Sequence, residues 1–325
     1  MDISVIVSTY DKPAWLEKVL WGYSRQDLRD FELIVADDGS GEETRRLIAR
    51  FAERSDFPIR HLWHEDQGYR RSVILNAAIL AARTGYLLFS DGDCIPRHDF
   101  VRTHLEMAEP GRFLSGGSVY LSEETSEKLT REDVLSGRFA DPRFLRSQGE
   151  SLGRHRLRLL PKGPFSSLLD GITTTRPTWN LNNASTWREP LFQVNGMESE
   201  MQYGGADRAL GSRLENLGLK GKRIRFRAVL LHLDHDRPYK TRESIQKNKA
   251  IRRRIVADRE VRARDGLVEL RARMGGTPFL ELTPSGPETG AGSAPESSES
   301  PFEKEITRRS SEADGAGKEQ GADHG

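Results

Sequence analysis

Short apolar runs alternate with longer stretches of helical periodicity over the N-terminal third of the chain. Residues 3–7 (Ile-Ser-Val-Ile-Val) read as a buried strand. After Ser8-Thr9-Tyr10-Asp11 a helix follows with Leu16, Val19, Leu20 and Tyr23 as its apolar stripe; Asp11 is placed to cap it and Pro13 suits its first turn. The same alternation predicts a strand at 31–36, a charged helix at 42–54, a strand at 59–63, a helix at 69–82 and a strand at 86–89. Val73, Leu75, Ala78, Ile79 and Ala82 are the packing positions of the 69–82 helix. Strand–helix alternation of this kind implies an α/β fold with a mixed, mostly parallel central sheet.

Beyond this the pattern changes. Residues 113–120 read as one further strand, and 122–175 are charged and irregular, with short helices. A helix is expected at 206–217, ended by Gly218, and an apolar run over 224–233 leads into His235. From 242 to 273 the chain reads as helical and basic, with Arg252-Arg253-Arg254 its densest cluster. From Pro284 onward Gly, Ser, Glu and Pro dominate. The resulting division is a domain over 1–240, a basic helical extension over 241–276 and a disordered tail over 277–325.

Composition narrows the classes. The 50 Lys and Arg balance 49 Asp and Glu, and no aromatic-interleaved basic module accompanies them, so nucleic acid is not an expected partner. The single cysteine, Cys94, rules out an intramolecular disulfide framework and fits a reducing compartment. Its carboxylate neighbours should raise its pKa and leave it a packing residue. No apolar stretch approaches the roughly 18 residues of a membrane span. The expected location is cytoplasmic. The basic 240–273 stretch leaves two readings open: peripheral contact with the anionic inner face of the cell membrane, or a helix packed on the domain.

Candidate chemistry collects where ligands collect in such sheets, at the carboxyl ends of strands. Thr9-Tyr10-Asp11, Asp37-Asp38 and Asp91-Gly92-Asp93 all fall there. In extended backbone Asp91 and Asp93 project to one side, and carboxylates that close call for a positive group, with a divalent metal holding a phosphate the usual answer.

These segments, Val5-Ile6-Val7-Ser8-Thr9-Tyr10, Val35-Ala36-Asp37-Asp38-Gly39-Ser40 and Phe89-Ser90-Asp91-Gly92-Asp93, resemble the inverting glycosyltransferases of family 2, which have the GT-A fold. His64-Glu65-Asp66-Gln67-Gly68-Tyr69-Arg70, leading to Leu75-Asn76, is similar to a Gln-Gly-Tyr-Arg…Asn segment of bacterial capsule and lipopolysaccharide transferases. Asn183-Ala184-Ser185-Thr186-Trp187-Arg188, Val194-Asn195-Gly196 and Tyr203-Gly204-Gly205-Ala206-Asp207 resemble a block shared with galactosyltransferase-like enzymes. The likeness covers residues 3–240. It implies a nucleotide-sugar-binding half over 1–120 and an acceptor and catalytic half over 121–240.

The resemblance also implies roles. Thr9, Tyr10, Asp11 and Asp38 hold the nucleotide; Gln67, Arg70, Asp91 and Gly92 complete the donor side, with Arg71 beside Arg70 near the diphosphate. Asp93 binds manganese or magnesium, with His235 or, in competition, His232 as the second ligand. Asp207 is the general base. Trp179, Asn183, Gly204 and Gly205 face the acceptor, Trp179 by stacking on a sugar face unless it is packed in the core. The implied reaction moves a sugar from a nucleotide-sugar, a UDP-sugar by expectation, to a hydroxyl of a surface polysaccharide or lipopolysaccharide; the acceptor is a glycan or glycolipid. Ala206 stands where many relatives have glutamate, Asp11 where they have asparagine, and Met197-Glu198-Ser199 replaces a Phe-Asp-Glu run. The first of these keeps open an alternative, a catalytically inactive nucleotide- or sugar-binding protein on the same fold.

Overall fold

Strand β1 (Ile3–Thr9) is buried along its whole length, because helices cover both faces of the sheet it centres. Helix α1 (Pro13–Tyr23), strand β2 (Phe31–Asp37), helix α2 (Glu42–Arg54), strand β3 (Ile59–Trp63), helix α3 (Arg71–Ala81) and strand β4 (Tyr86–Asp91) complete the alternation the sequence predicts. The computed structural model describes residues 1–160, 163–236, 241–273, 280–283 and 286–287. Side chains alternate across the pleat. Val5 and Val7 pack with Leu16, Val19, Leu33 and Val35 on one face. Ile6, Ile34, Ala36, Leu87 and Phe89 pack with Ile74, Ala78 and Ile79 of α3 on the other. Each such aliphatic side chain removed from water contributes about 1.5–3 kcal/mol, so both layers hold the sheet edge in place.

The chain continues through β5 (Cys94–Pro96), α4 (Phe100–Glu106), β6 (Arg112–Ser115), β7 (Gly117–Tyr120), α5 (Glu123–Lys128), α6 (Arg131–Ser136), α7 (Pro142–Ser147) and α8 (Pro164–Ile172). Then come β8 (Asn183–Trp187), α9 (Arg188–Gln193), α10 (Ala206–Asn216), β9 (Lys220–Arg223), β10 (Val229–His232), α11 (Arg242–Ala257), α12 (Leu267–Arg273), β11 (Leu280–Thr283) and β12 (Gly286–Pro287). The large sheet runs β12-β11-β3-β2-β1-β4-β8-β6-β9, and a small one runs β5-β10-β7. Strands β3-β2-β1-β4 are parallel, while β8 enters antiparallel to β4. Thr9 pairs in register with Asp37, and Ser8 with Asp91, which brings the three polar strand ends side by side.

The structure corrects four expectations. The strand expected over 113–120 breaks at Gly116, where a Cβ would collide with Asn183, so β6 joins the large sheet and β7 the small one. Asp11 does not cap α1: it adopts φ 42°, and the capping position is Lys12, which makes no side-chain cap. The basic stretch is two helices, α11 and α12, separated by a turn with Arg259 at φ 50°; α11 buries Ile251 and Ile255 against the domain. Within the expected tail, β11 pairs antiparallel with β3 and Arg60 holds Glu281; residues 274–279, 284–285 and 288–325 lie outside the described residues. No helix among the described residues is long and apolar enough to cross a membrane.

Candidate active site

The carboxyl ends of β1, β2 and β4 open into a cleft of about 650 Å³ lined by Ser8, Thr9, Tyr10, Asp11, Lys12, Asp38, Asp66, Gly68, Tyr69, Arg71, Asp91, Gly92, Asp93, Tyr203, His235 and Asp236. Its floor is built by backbone economy. Gly92 N–H donates to Ser8 O at 2.7 Å, and a Cβ on Gly92 would press on Thr9. Gly39, at φ 101°, passes so close to Asp66 that only glycine fits. Tyr10, exposed at the cleft mouth, donates its hydroxyl to Asp66 at 3.0 Å.

Three carboxylates meet three different environments. Asp38 is buried, its Oδ1 2.8 Å from His64 Nε2, and its Oδ2 accepts from Arg70 N–H at 3.1 Å. Burial pushes its carboxyl above the ordinary range despite the His64 contact. Asp91 accepts from Ser8 Oγ at 2.9 Å and pairs with the Arg71 guanidinium. Burial raises its carboxyl, with the Arg71 charge opposing. Burial acts on Asp93 as well, but the hydrogen bond from His235 and the field of His232 outweigh it and hold that carboxyl at about 2.

The Asp93 corner has a donor set fit for a cation. His235 Nδ1 lies 2.6 Å from Asp236 O and its Nε2 2.8 Å from Asp93 Oδ2. His232 Nδ1 lies 2.8 Å from Leu233 O, with its Nε2 3.7 Å from the same Oδ2. A neutral imidazole has one N–H. With that N–H on a main-chain carbonyl, each Nε2 faces the same carboxylate oxygen, and the gap closes in one of two ways: by a proton, which makes the hydrogen bond from His235 to Asp93, or by a cation in its place. A carbonyl on the far ring nitrogen is also the usual support for a metal-binding histidine. Adjacent ligands of an octahedral ion at about 2.1 Å stand about 3.0 Å apart, a separation that the 2.8 and 3.7 Å contacts bracket. Cys94, buried beneath, donates Sγ–H to Asp93 Oδ1 at 3.2 Å. Burial and the neighbouring carboxylates raise its pKa, so it supports Asp93 as a neutral thiol.

Of the expected donor-side residues, Thr9, Tyr10, Asp11, Asp38, Asp91 and Gly92 line the cleft. Gln67 and Arg70 do not. Gln67 is exposed on the loop between the lining residues Asp66 and Gly68, and the Arg70 guanidinium turns to Glu65 O. Arg71, one residue on, is the arginine that enters. Asp93 and His235 line the cleft, and His232 sits just behind, 6% exposed and stacked on Tyr120 with ring centroids 4.8 Å apart. Asp207 lies in the first turn of α10, outside the lining, near enough that its charge raises the Arg71 pKa.

The acceptor side needs correction. Trp179 is 1% exposed and packs edge-on against Phe89 and Phe113, so it is core. Asn183 is buried and donates Nδ2–H to Gly117 O and Ala228 O while accepting from His104 on Oδ1. Gly204 and Gly205, at φ 101° and 97°, face Ile245 and Arg252 of α11 rather than the cleft. Tyr69 and Tyr203, in edge contact at 6.0 Å, supply the cleft's aromatic wall instead. Periodicity is silent on Tyr203, which the sequence marks only as part of the galactosyltransferase-like segment 203–207, with no role of its own.

Residues 4–165 match the family model described as Glycosyl transferase family 2. A validoxylamine A glucosyltransferase from Streptomyces hygroscopicus subsp. jinggangensis is 32% identical over 105 residues, 32% of this chain and 24% of that protein. YfnE of Bacillus subtilis, described as an uncharacterized glycosyltransferase, is 27% identical over 282 residues, 76% of this chain and 69% of its own length. The match to the first of these spans about a quarter of that relative. Among solved structures, an S. aureus TarS fragment in complex with UDP-GlcNAc has a TM-score of 0.53 at 13% identity, covering 83% of this chain and 69% of that one. That is a likeness of fold.

Proposed function

The chain belongs to glycosyl transferase family 2, and from that premise we propose that it is an inverting glycosyltransferase taking its sugar from a nucleotide-sugar. The observation that carries this reading is the Asp93 corner, where two imidazoles from the β10 end converge on the carboxylate that follows β4. Asp93 with His235 or, in competition, His232 would hold a divalent ion, manganese or magnesium, whose chemistry there is to offset negative charge gathering on a departing diphosphate. Thr9, Tyr10, Asp11 and Asp38 take the nucleoside, with the Asp38 carboxylate accepting from a base N–H. Arg71 orients Asp91 toward the ribose side and keeps a positive charge near the phosphates.

Inversion requires the acceptor hydroxyl to attack the anomeric carbon from the face opposite the diphosphate, losing its proton as the bond forms. Asp207, in the first turn of α10, takes that proton. The donor is a UDP-sugar, and the acceptor hydroxyl belongs to a surface polysaccharide or lipopolysaccharide. The resemblance of the His64–Arg70 segment to one of capsule and lipopolysaccharide transferases supports that choice.

The test is nucleoside diphosphate release from a panel of nucleotide-sugars with manganese, with and without a chelator. Chelator-sensitive release from one donor, lost in Asp207→Asn, is the expected result. Tight nucleotide binding without release, even with glycan acceptors added, would favour a binding-only protein, the reading Ala206 keeps in view.

A further inference from the structure

Helix α8 is amphipathic in the reverse sense. Ser166 and Asp170 face inward, whereas Phe165, Leu168 and Ile172 stand 53%, 56% and 64% exposed. Their spacing puts them on one side of the helix. Among the described residues, no other element exposes more than one large apolar side chain. The orientation is fixed by polar anchors: Asp170 accepts from Phe226 N–H at 3.1 Å and Arg227 Nε at 2.7 Å. Just past the helix, Thr175 O accepts from Arg223 at 3.0 Å. A short helix held polar-side-in is built to present its apolar side.

The surroundings are cationic. Residues 151–176 carry five Lys and Arg against one acid, the inward Asp170, and residues 220–227 carry five more with none; of these, Arg176, Lys222 and Arg227 pair with Glu215, Glu109 and Asp170. Among the described residues Arg154 and Arg156 are exposed and make no ion pair with a carboxylate, while Arg225 is half-buried with the Asp170 charge beside it. Burial, then the charges of Arg225 and Arg154, keep Arg158 below its ordinary value, with no carboxylate opposing them. The patch also connects to the cleft. Arg158 donates to Ser118 O on β7, and Tyr120, two residues on, stacks on His232.

We infer that α8 and the arginines around it form a docking surface for an anionic lipid bilayer. Phe165, Leu168 and Ile172 enter the headgroup region, and Arg154 and Arg156 meet the lipid phosphates. An exposed apolar face with the exposed Arg154 and Arg156 on the segment just before it is complementary to such a surface. The stretch over 240–273, the other basic candidate for this role, instead buries Ile251 and Ile255 in the domain. The benefit of docking, presenting a lipid-borne acceptor to the cleft, rests on the glycosyltransfer reading; the docking itself does not.

The experiment is co-sedimentation of the full chain with vesicles of phosphatidylcholine containing one-third phosphatidylglycerol, against pure phosphatidylcholine, at two salt concentrations. Salt-sensitive binding to the anionic vesicles alone is expected. The triple variant Phe165→Ser, Leu168→Ser, Ile172→Ser should lower the partition coefficient at least tenfold, on the order expected for losing three inserted apolar groups. Its thermal midpoint and UDP binding should be unchanged. Should that variant fold poorly, Phe165→Trp provides a second reading: brominated lipid should quench its added fluorescence only with anionic vesicles. Absence of wild-type binding, undiminished binding by the triple variant, or no quenching in Phe165→Trp overturns the proposal. So does a wild-type dimer that the triple variant dissolves without any vesicle binding. Donor turnover is measured in parallel, so silence there with vesicle binding intact removes the glycosyltransfer reading and leaves the docking surface standing.

Discussion

Asp91 and Asp93 are separated by a single glycine yet answer to different partners. Asp91 has its counter-charge within the protein, in Arg71. Asp93 is faced by the Nε2 atoms of His235 and His232 and stays ionised down to about pH 2. Asp93→Asn keeps the shape and removes the charge on which the proposed cation site depends. Turnover should fall about 10²–10³-fold, the scale of losing one electrostatic stabiliser of a transition state, with the circular dichroism spectrum unchanged. Turnover within about threefold of wild type would sink the assigned role. At this scale the sequence was readable where chemistry follows directly on an apolar run, as at Thr9, Asp38, Asp91 and Asp93. Arg71 was not separable from Arg70, because which arginine enters the cleft depends on where α3 begins. Trp179 and Asn183 were misplaced because side chains suited to sugar contact equally suit a core or a buried hydrogen-bond hub, and only packing decides.

Whole elements hold the site through buried polar contacts. Asn248 of α11 is fully buried and donates to the carbonyls of Gln202, Tyr203 and Gly204, clamping the loop that delivers Asp207. Asn248→Ala should cost about 1–3 kcal/mol for the carbonyls left unsatisfied and lower kcat, while UDP affinity, set by the β1, β2 and β4 ends, stays within twofold. A parallel loss of UDP affinity would show that the loop serves the donor side. Helix α4 is joined to β8 by His104, whose Nε2–H donates to Asn183 at 2.9 Å and whose Nδ1 accepts from Ser185 at 2.7 Å. Burial lowers its pKa to about 3 against the weaker help of Asn183. The unfolded chain protonates near 6.5, so this contribution to stability is complete above that pH and is lost as pH falls toward 3. Between pH 6 and 4.5 the slope of unfolding free energy against pH should be shallower in His104→Gln than in wild type by about 1.4 kcal/mol per unit, read from urea titrations. Equal slopes would place the histidine in a wetter setting. The elements around these contacts were partly legible: α10 follows its periodicity, whereas the break at Gly116 and the turn between α11 and α12 depend on tertiary neighbours that no local pattern encodes.

At the scale of the molecule, the two halves of the candidate site come from distant stretches of chain. Asp93 and His235 are 142 residues apart and are brought together because β10 pairs with both β5 and β7 in the small sheet. The first four strands were legible because each is a short, mainly apolar segment set between helical stretches, β3 with Arg60 and His61 the most polar of them. The small sheet was not, since its three short strands pair across long separations, and register of that kind is set by packing. Ligands gathered from distant segments couple binding to global stability: the ion proposed for Asp93 and His235, with nucleotide beside it, would bind only the folded chain. At 100-fold excess over Kd such a pair stabilises by about 2.7 kcal/mol. For a domain of this size that corresponds to about 5 °C in thermal midpoint. UDP and manganese together should raise Tm by roughly that amount, UDP alone by less, and manganese should add nothing in Asp93→Asn. A variant that keeps the full metal-dependent shift would mean the ion sits elsewhere, and the convergence of β4, β5 and β10 on Asp93 would then serve the fold rather than the chemistry.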